Sequence, residues 1–315
     1  MKKILLFLFL FSLVIAGCDV TVSIAPTNSA PLPTSTAIPA SATPGLAMET
    51  VTQIPASPTP ILVTIAPSAT TTVPAPSFNG VEVAVVPLRV VLPPNLAYGA
   101  RGSQILRVDG QDIPAWEMMP SHTQLKLEGY PLQGTSQQPQ IYVYPAQDYA
   151  EMVPAAFESM HRLENIILGD RDVPVDSNQL PAVPFFNAQQ VFAARVQVLP
   201  FQSGWGVRFL TEYAQYPASA NNHDLFYHFQ GLTSDGAYYI IAILPIRVPV
   251  LAETSDGGAV LPVGGVPYPY FADPNSDMQS YYTSVIDLLN ATPSQSFNPT
   301  LDQLDAFIQS IRIMP

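Results

Sequence analysis

The sequence predicts an α+β fold: a mostly antiparallel sheet with amphipathic helices packed on it, after a disordered N-terminal tether. Three observations carry this expectation. Strand-period segments follow one another through the second half of the chain with no helix between them, which points to antiparallel pairing rather than βαβ crossovers. Helix-period stripes occur apart from that run, once before it and twice after it. The composition also changes abruptly near Phe78, from Pro, Thr, Ser and Ala to a mixture rich in β-branched and aromatic residues.

From the N-terminus, residues 1–17 read as a lipoprotein signal peptide. Lys2 and Lys3 form a charged start and Ile4 to Ile15 a short apolar core. That core is too short for a comfortable membrane span, which takes about 20 residues. The segment closes on Val14-Ile15-Ala16-Gly17-Cys18, which resembles the lipobox of bacterial lipoproteins, with a small residue before the cysteine. The resemblance implies acylation of the Cys18 thiol, cleavage before it, and anchorage at the extracytoplasmic face of a bacterial cell membrane. Two or more acyl chains anchor stably, since each buried CH₂ contributes ~0.8 kcal/mol. Cys18 is the single cysteine in the 315 residues, so no disulfide, Cys-ligated metal or thiol nucleophile is expected downstream.

Residues 18–77 read as a lipid-anchored linker. Phrases such as SAPLPTSTAIPASATP repeat Pro too often for helix or ladder, and Asp19 and Glu49 are the only charges,. A flexible chain of this length averages about 40–45 Å end to end. The whole sequence has 12 basic and 24 acidic residues, a net charge of −12. Loss of the leader removes Lys2 and Lys3 and no acid, so the exported chain is more acidic still. Such a surface repels phosphate backbones, and no nucleic-acid partner is expected.

Residues 78–315 are long enough for a single globular domain with a sizeable core. Val81 to Leu92 reads as an edge strand or two short ones around Pro87. Pro93 to Ser103 reads as loop, Ile113 to Met118 and Thr123 to Leu127 as short strands, and Gln140 to Tyr144 as a clearer one. The period then changes: Asp148 with Glu151 suggests a capping box, and Phe157, Met160, Leu163 and Ile167 recur at helical spacing. Pro154 either starts that helix or separates a first turn from it. Val191 to Leu199 is a strand leading through Gly204 into the strongest stretch, Gly206 to Val250.

In that stretch Val207, Phe209, Thr211 and Tyr213 alternate with Arg208, Leu210 and Glu212, a strand with one wetter face. Leu225, Tyr227 and Phe229 alternate with Phe226, His228 and Gln230 in the same way. Ser234-Asp235-Gly236 supplies a turn. Ala237 to Leu244 is apolar at both parities, as in a strand covered on both faces, and Pro245 ends it. Two helices finish the chain: one on Met278, Tyr281, Tyr282, Val285, Leu288 and Leu289, the other capped by Thr300 with Gln303 and striped by Leu301, Leu304, Phe307, Ile308 and Ile311. The ending LDQLDAFIQSIRI resembles the PsbP-like fold, an antiparallel sheet between helices. The globular sequence is also similar to lipid-anchored proteins of filamentous bacteria, a resemblance that implies nothing about chemistry.

Motifs for chemistry are sparse. His122, His161, His223 and His228 read as surface histidines, with no HExxH or paired-Cys frame, and no metal or cofactor is expected. Asp273, Asn275 and Asp277 start like a calcium loop, but Met278 stands where Gly is needed; they read as caps of the next helix. GxSxG and SxxK sites are absent. Two surfaces remain. Arg195, Arg208, Glu212 and His228 converge on the wetter sheet face if neighbouring strands align, either as ordinary solvated charge or as a polar ligand site. The loop Ala252 to Asp273 carries Tyr268, Tyr270 and Phe271 on a Pro-stiffened backbone, either as a recognition surface or as cover for a sheet edge.

These readings favour a lipid-anchored extracytoplasmic binding or interaction domain with a small-molecule or protein partner. An extracytoplasmic hydrolase with a site assembled from scattered residues is the alternative. Cys18→Ser should abolish incorporation of labelled palmitate and leave unprocessed precursor; unchanged labelling would refute the lipobox reading.

Overall fold

The computed structural model describes residues 77–269, 273 and 276–314; Cys18, the linker as far as Pro76, Tyr270, Phe271 and Asn275 lie outside them. The described residues form ten strands and four helices. In chain order these are β1 (Val81–Val85), β2 (Leu88–Leu92), β3 (Gly99–Ile105), β4 (His122–Glu128), β5 (Gln140–Pro145), α1 (Ala146–Met152) and α2 (Pro154–Leu168). They continue with β6 (Gln189–Phe201), β7 (Gly204–Ala214), β8 (Phe226–Thr233), β9 (Tyr238–Pro245), α3 (Met278–Ala291), α4 (Leu301–Gln309) and β10 (Arg312–Ile313).

Seven strands make one antiparallel sheet in the order β3-β4-β5-β9-β8-β7-β6, and β1-β2-β10 make a small second one. The α+β expectation therefore holds, with the apolar β9 in the interior of the large sheet. Asp235 Oδ1 accepts from the Ala237 N–H at 3.0 Å and Gly236 takes φ +70°, so the β8–β9 turn closes as its residues dictate,.

Each face of the large sheet has its own core. On one face Ala156, Met160 and Leu163 of α2 meet Val207, Phe209, Tyr239 and Ile241. On the other, Val285 and Leu289 of α3 and Leu301, Leu304 and Phe307 of α4 meet Leu210, Tyr227, Phe229 and Ala242, together with Leu88 and Val90 from the small sheet. Each fully buried Leu or Phe contributes about 1.5–3 kcal/mol relative to exposure. Asp277 caps α3, accepting from the Ser280 N–H at 2.8 Å, and Thr300 caps α4, accepting from the Gln303 N–H at 3.2 Å. The Gln303 side chain does not reciprocate; it donates to the Pro94 carbonyl at 2.7 Å.

Several expectations are corrected. Gly99–Ile105 is a strand and not loop; its sequence GARGSQI has no alternation, and it forms because β4 offers a complete row of backbone partners. Ile113 to Met118 forms turns. Asp148 and Glu151 lie within α1 and cap nothing. Pro154, by contrast, does what was expected of it: it opens α2 at the position where a missing N–H costs least, after a separate first helix,. Phe157 is exposed, because the buried stripe runs through Ala156, Ser159, Met160 and Leu163.

The largest correction concerns the supposed wetter face. Arg208, Glu212 and His228 are 5%, 1% and 0% exposed, because helices cover both sides of the sheet. His122 is buried as well, so two of the four histidines are not at the surface.

Backbones approach closely where Gly206 pairs with Gly231, and the Phe229 ring lies across both. A Cβ at Gly206 would run into the Gln230 carbonyl oxygen and that ring. Gly206→Ala should therefore cost at least the ~1–3 kcal/mol typical of overpacking. Gly236→Asn, in an open turn, should stay within about 1 kcal/mol. Chemical denaturation of the two variants checks the contrast.

Candidate functional site

Strands β7 and β9 run parallel on either side of β8 and finish at the same end of the sheet, where Thr211 faces Phe226 and Phe226 faces Pro245. The connection after β7 and the long chain after β9 therefore emerge side by side. Asn222 ties them: its amide donates to the Val248 and Leu251 carbonyls, both at 3.1 Å, and its oxygen accepts from the Val248 N–H at 2.8 Å. Asn221 folds the first connection on itself, accepting from the His223 and Asp224 N–H groups and donating to Asp224 at 2.9 Å.

Three tyrosines then fasten residues 217–220. The Tyr281 hydroxyl accepts from the Ala220 N–H at 2.9 Å, the Tyr282 hydroxyl donates to the Ala218 carbonyl at 2.9 Å, and the Tyr268 hydroxyl donates to the Pro217 carbonyl at 2.8 Å. Between this platform and the segment Val250 to Tyr268 lies a largely apolar cavity of about 400 Å³. Ala218 and Ala220 form part of its floor, Leu251, Leu261 and Val266 part of its walls, and Tyr216, Tyr268 and Tyr281 its aromatic side.

Tyr268, expected on a recognition loop or as cover, is half-buried, and its ring packs edge-on to Tyr281 with centroids 5.3 Å apart. Hence Tyr268 is neither a free side chain nor a plug over the core: with Val266 it forms part of one wall of a pocket. The residues missing from the expectation are Tyr216, Ala218, Ala220 and Tyr281. Only Tyr281 had a signal in sequence, as part of a helical stripe, and that pattern points to core.

The four charged candidates do not converge. In the β7–β8 register His228 faces Phe209 on the α2 side, whereas Arg208 and Glu212 point to the α3 and α4 side. His228 Nε2 lies 3.0 Å from the Val183 carbonyl, and its Nδ1 is buried without a hydrogen-bond partner. Burial pushes the imidazole down to about 3, so it is neutral.

Arg195 and Arg208 do come together, as structural ties. A bulge between Ala194 and Gln197 puts Arg195 at φ +55°. Its N–H donates to Asn290 Oδ1 at 2.6 Å and its guanidinium to the Asn290 carbonyl at 2.8 Å, supplying the positive charge that the last turn of α3 lacks,. Arg208 donates to the Arg195 carbonyl, to Gln197 at 2.6 Å and to Asp305 of α4 at 3.3 Å. A polar cleft of about 710 Å³ runs past both arginines, but Arg208 meets it with its donors already engaged.

Glu212 is buried where the β7 connection begins, and Oε1 accepts from the Asn221 N–H at 2.7 Å. Burial raises this carboxyl well above its ordinary 4.5; nearby Asp224 adds to the rise and the Asn221 hydrogen bond opposes it. His161 is exposed beside Glu164 at 3.5 Å, and His223 pairs with Asp224 at 2.8 Å. Among the described residues no group of three His, Cys, Asp or Glu is placed to hold a metal ion, and no helix is long and apolar enough to cross a membrane. No family model, curated protein or solved structure matches the chain.

The Glu212 environment sets a pH dependence. The folded chain holds a proton that the unfolded chain releases above about 4.5. Its contribution is therefore complete below that pH and declines as pH rises towards the folded value, by up to about 1.4 kcal/mol per unit. Glu212→Gln keeps the acceptor for Asn221 and removes the titration. Its melting temperature should gain on the wild type progressively from pH 5 to pH 8; a constant difference would mean that Glu212 contributes nothing to the pH dependence of stability.

Proposed function

We propose that the chain is a lipid-anchored extracytoplasmic binding domain, attached at a bacterial membrane through Cys18, whose ligand site is the apolar pocket between residues 216–220 and 250–268. The observation that supports this most is the construction of the pocket. Its volume of about 400 Å³ falls in the range of small-molecule sites,. Its floor and aromatic wall are held by side-chain hydrogen bonds to backbone, so it is largely pre-formed and a ligand need not pay to order it,. Leu261 lines the pocket, and close to it in sequence Val260 and Val263 are exposed apolar side chains, at 83% and 101%.

A hydrolase needs titratable groups gathered around one reacting atom. Glu212, His228, His161 and Asp224 lie on different elements, and none of them lines this pocket. The binding reading needs only the shape and the aromatic faces that are present.

The test uses residues 18–315 expressed directly without the leader and carrying Cys18→Ser, so that no acyl group is added, and the neutral fluorophore N-phenyl-1-naphthylamine. Its emission should rise on binding. Ala259→Trp, which fills the pocket from its loop side, should abolish the rise while shifting stability by no more than about 0.5 kcal/mol. An undiminished rise in that variant would place the site elsewhere.

A further inference from the structure

We infer that the ligand of this pocket is an organic cation, an ammonium group carried on an apolar or aromatic body. The inference rests on the pocket reading above and adds the sign of charge that the pocket selects.

The walls come from a part of the sequence with no bases. From Val248 to Ile311 there is no Lys, Arg or His, against seven Asp or Glu, and the platform Tyr216 to Ala220 carries no charge at all. Among the described lining residues, Asp256 is the one carboxylate; its Oδ2 accepts from the Thr254 hydroxyl at 2.8 Å. The nearest base in sequence, Arg247, is paired with Glu253 at 3.4 Å and donates to the Gln133 carbonyl at 3.3 Å. An anionic ligand would therefore leave water and meet no counter-charge, which is costly. A cation meets a carboxylate at the rim and the field of a chain with net charge −12,.

The aromatic side gives the recognition chemistry. Tyr268 and Tyr281 stand at 81° to one another with centroids 5.3 Å apart, two sides of a box, and Tyr216 lines the same cavity. The faces of such rings are electron-rich and attract ammonium groups, most strongly where water is excluded. Burial pushes the Tyr281 phenol up to about 12 and raises Tyr268 as well, so both act as neutral rings.

The experiment is calorimetric titration of the same leaderless Cys18→Ser chain, residues 18–315, with three probes of one skeleton: 4-phenylbutyltrimethylammonium, 4-phenylbutan-1-ol and 4-phenylbutyrate. The ammonium should bind about tenfold more tightly than the alcohol, and the carboxylate more weakly than either. Asp256→Asn should narrow the ammonium–alcohol gap by about two- to fivefold and leave the alcohol unchanged. Tyr268→Phe should keep the preference and Tyr268→Leu should lose it, because the ring face and not the hydroxyl is what the cation meets. Equal or tighter binding of the alcohol or the carboxylate overturns the charge selection while leaving a binding pocket. Binding of none of the three overturns both readings.

Discussion

The rest of the structure follows from one constraint: the large sheet is covered by helices on both faces, so the polar groups on its central strands find their partners inside the protein, with His228 Nδ1 as the exception among the described residues. An unpaired buried polar group costs on the order of 1–3 kcal/mol, and an unpaired charge more. The pairing is accordingly dense. Arg208 is met by Asp305, Gln197 and the Arg195 carbonyl, and Asp305 also accepts from the Tyr227 hydroxyl at 2.8 Å. Gln230 donates to the Pro181 carbonyl at 2.7 Å and accepts from the Tyr239 hydroxyl. These bonds do more than satisfy single atoms, because their partners sit on α4, on the bulged edge strand and on the chain after α2. The buried polar side chains thereby orient the layers that bury them.

The same constraint locates the pocket. Apolar side chains fill the space between sheet and helices, and β7 and β9 release their following segments at the same end of the sheet. There the backbone leaves the ladder and has to be satisfied by side chains instead. Asn221, Asn222 and the three tyrosines do this, and their hydrogen bonds hold residues 217–220 and the start of the segment 250–268, with the cavity between. A binding site on this scaffold is thus the by-product of how one end of the sheet is closed. Helix α3, which carries Tyr281, is fastened to the bulged edge strand at its C-terminal end, where Arg195 donates to the Asn290 carbonyl.

Local sequence was enough to determine the elements whose residues have one strong preference: the β8–β9 turn at Asp235-Gly236, the doubly apolar β9, the Asp277 and Thr300 caps and the stripe of α4. Each depends on neighbours within a few positions, so periodicity and side-chain chemistry suffice. What only the tertiary structure decided was everything set by a partner far away in sequence. GARGSQI became a strand because β4 lay beside it. Arg208, Glu212 and His228 alternate with apolar residues just as a solvated face does; they are buried because Asp305, Asn221 and Val183 reach them from distant segments. The pocket was illegible for the same reason. Tyr281 reads as core in its own helix, and it becomes a wall only when the chain after β9 lays Tyr268 across it.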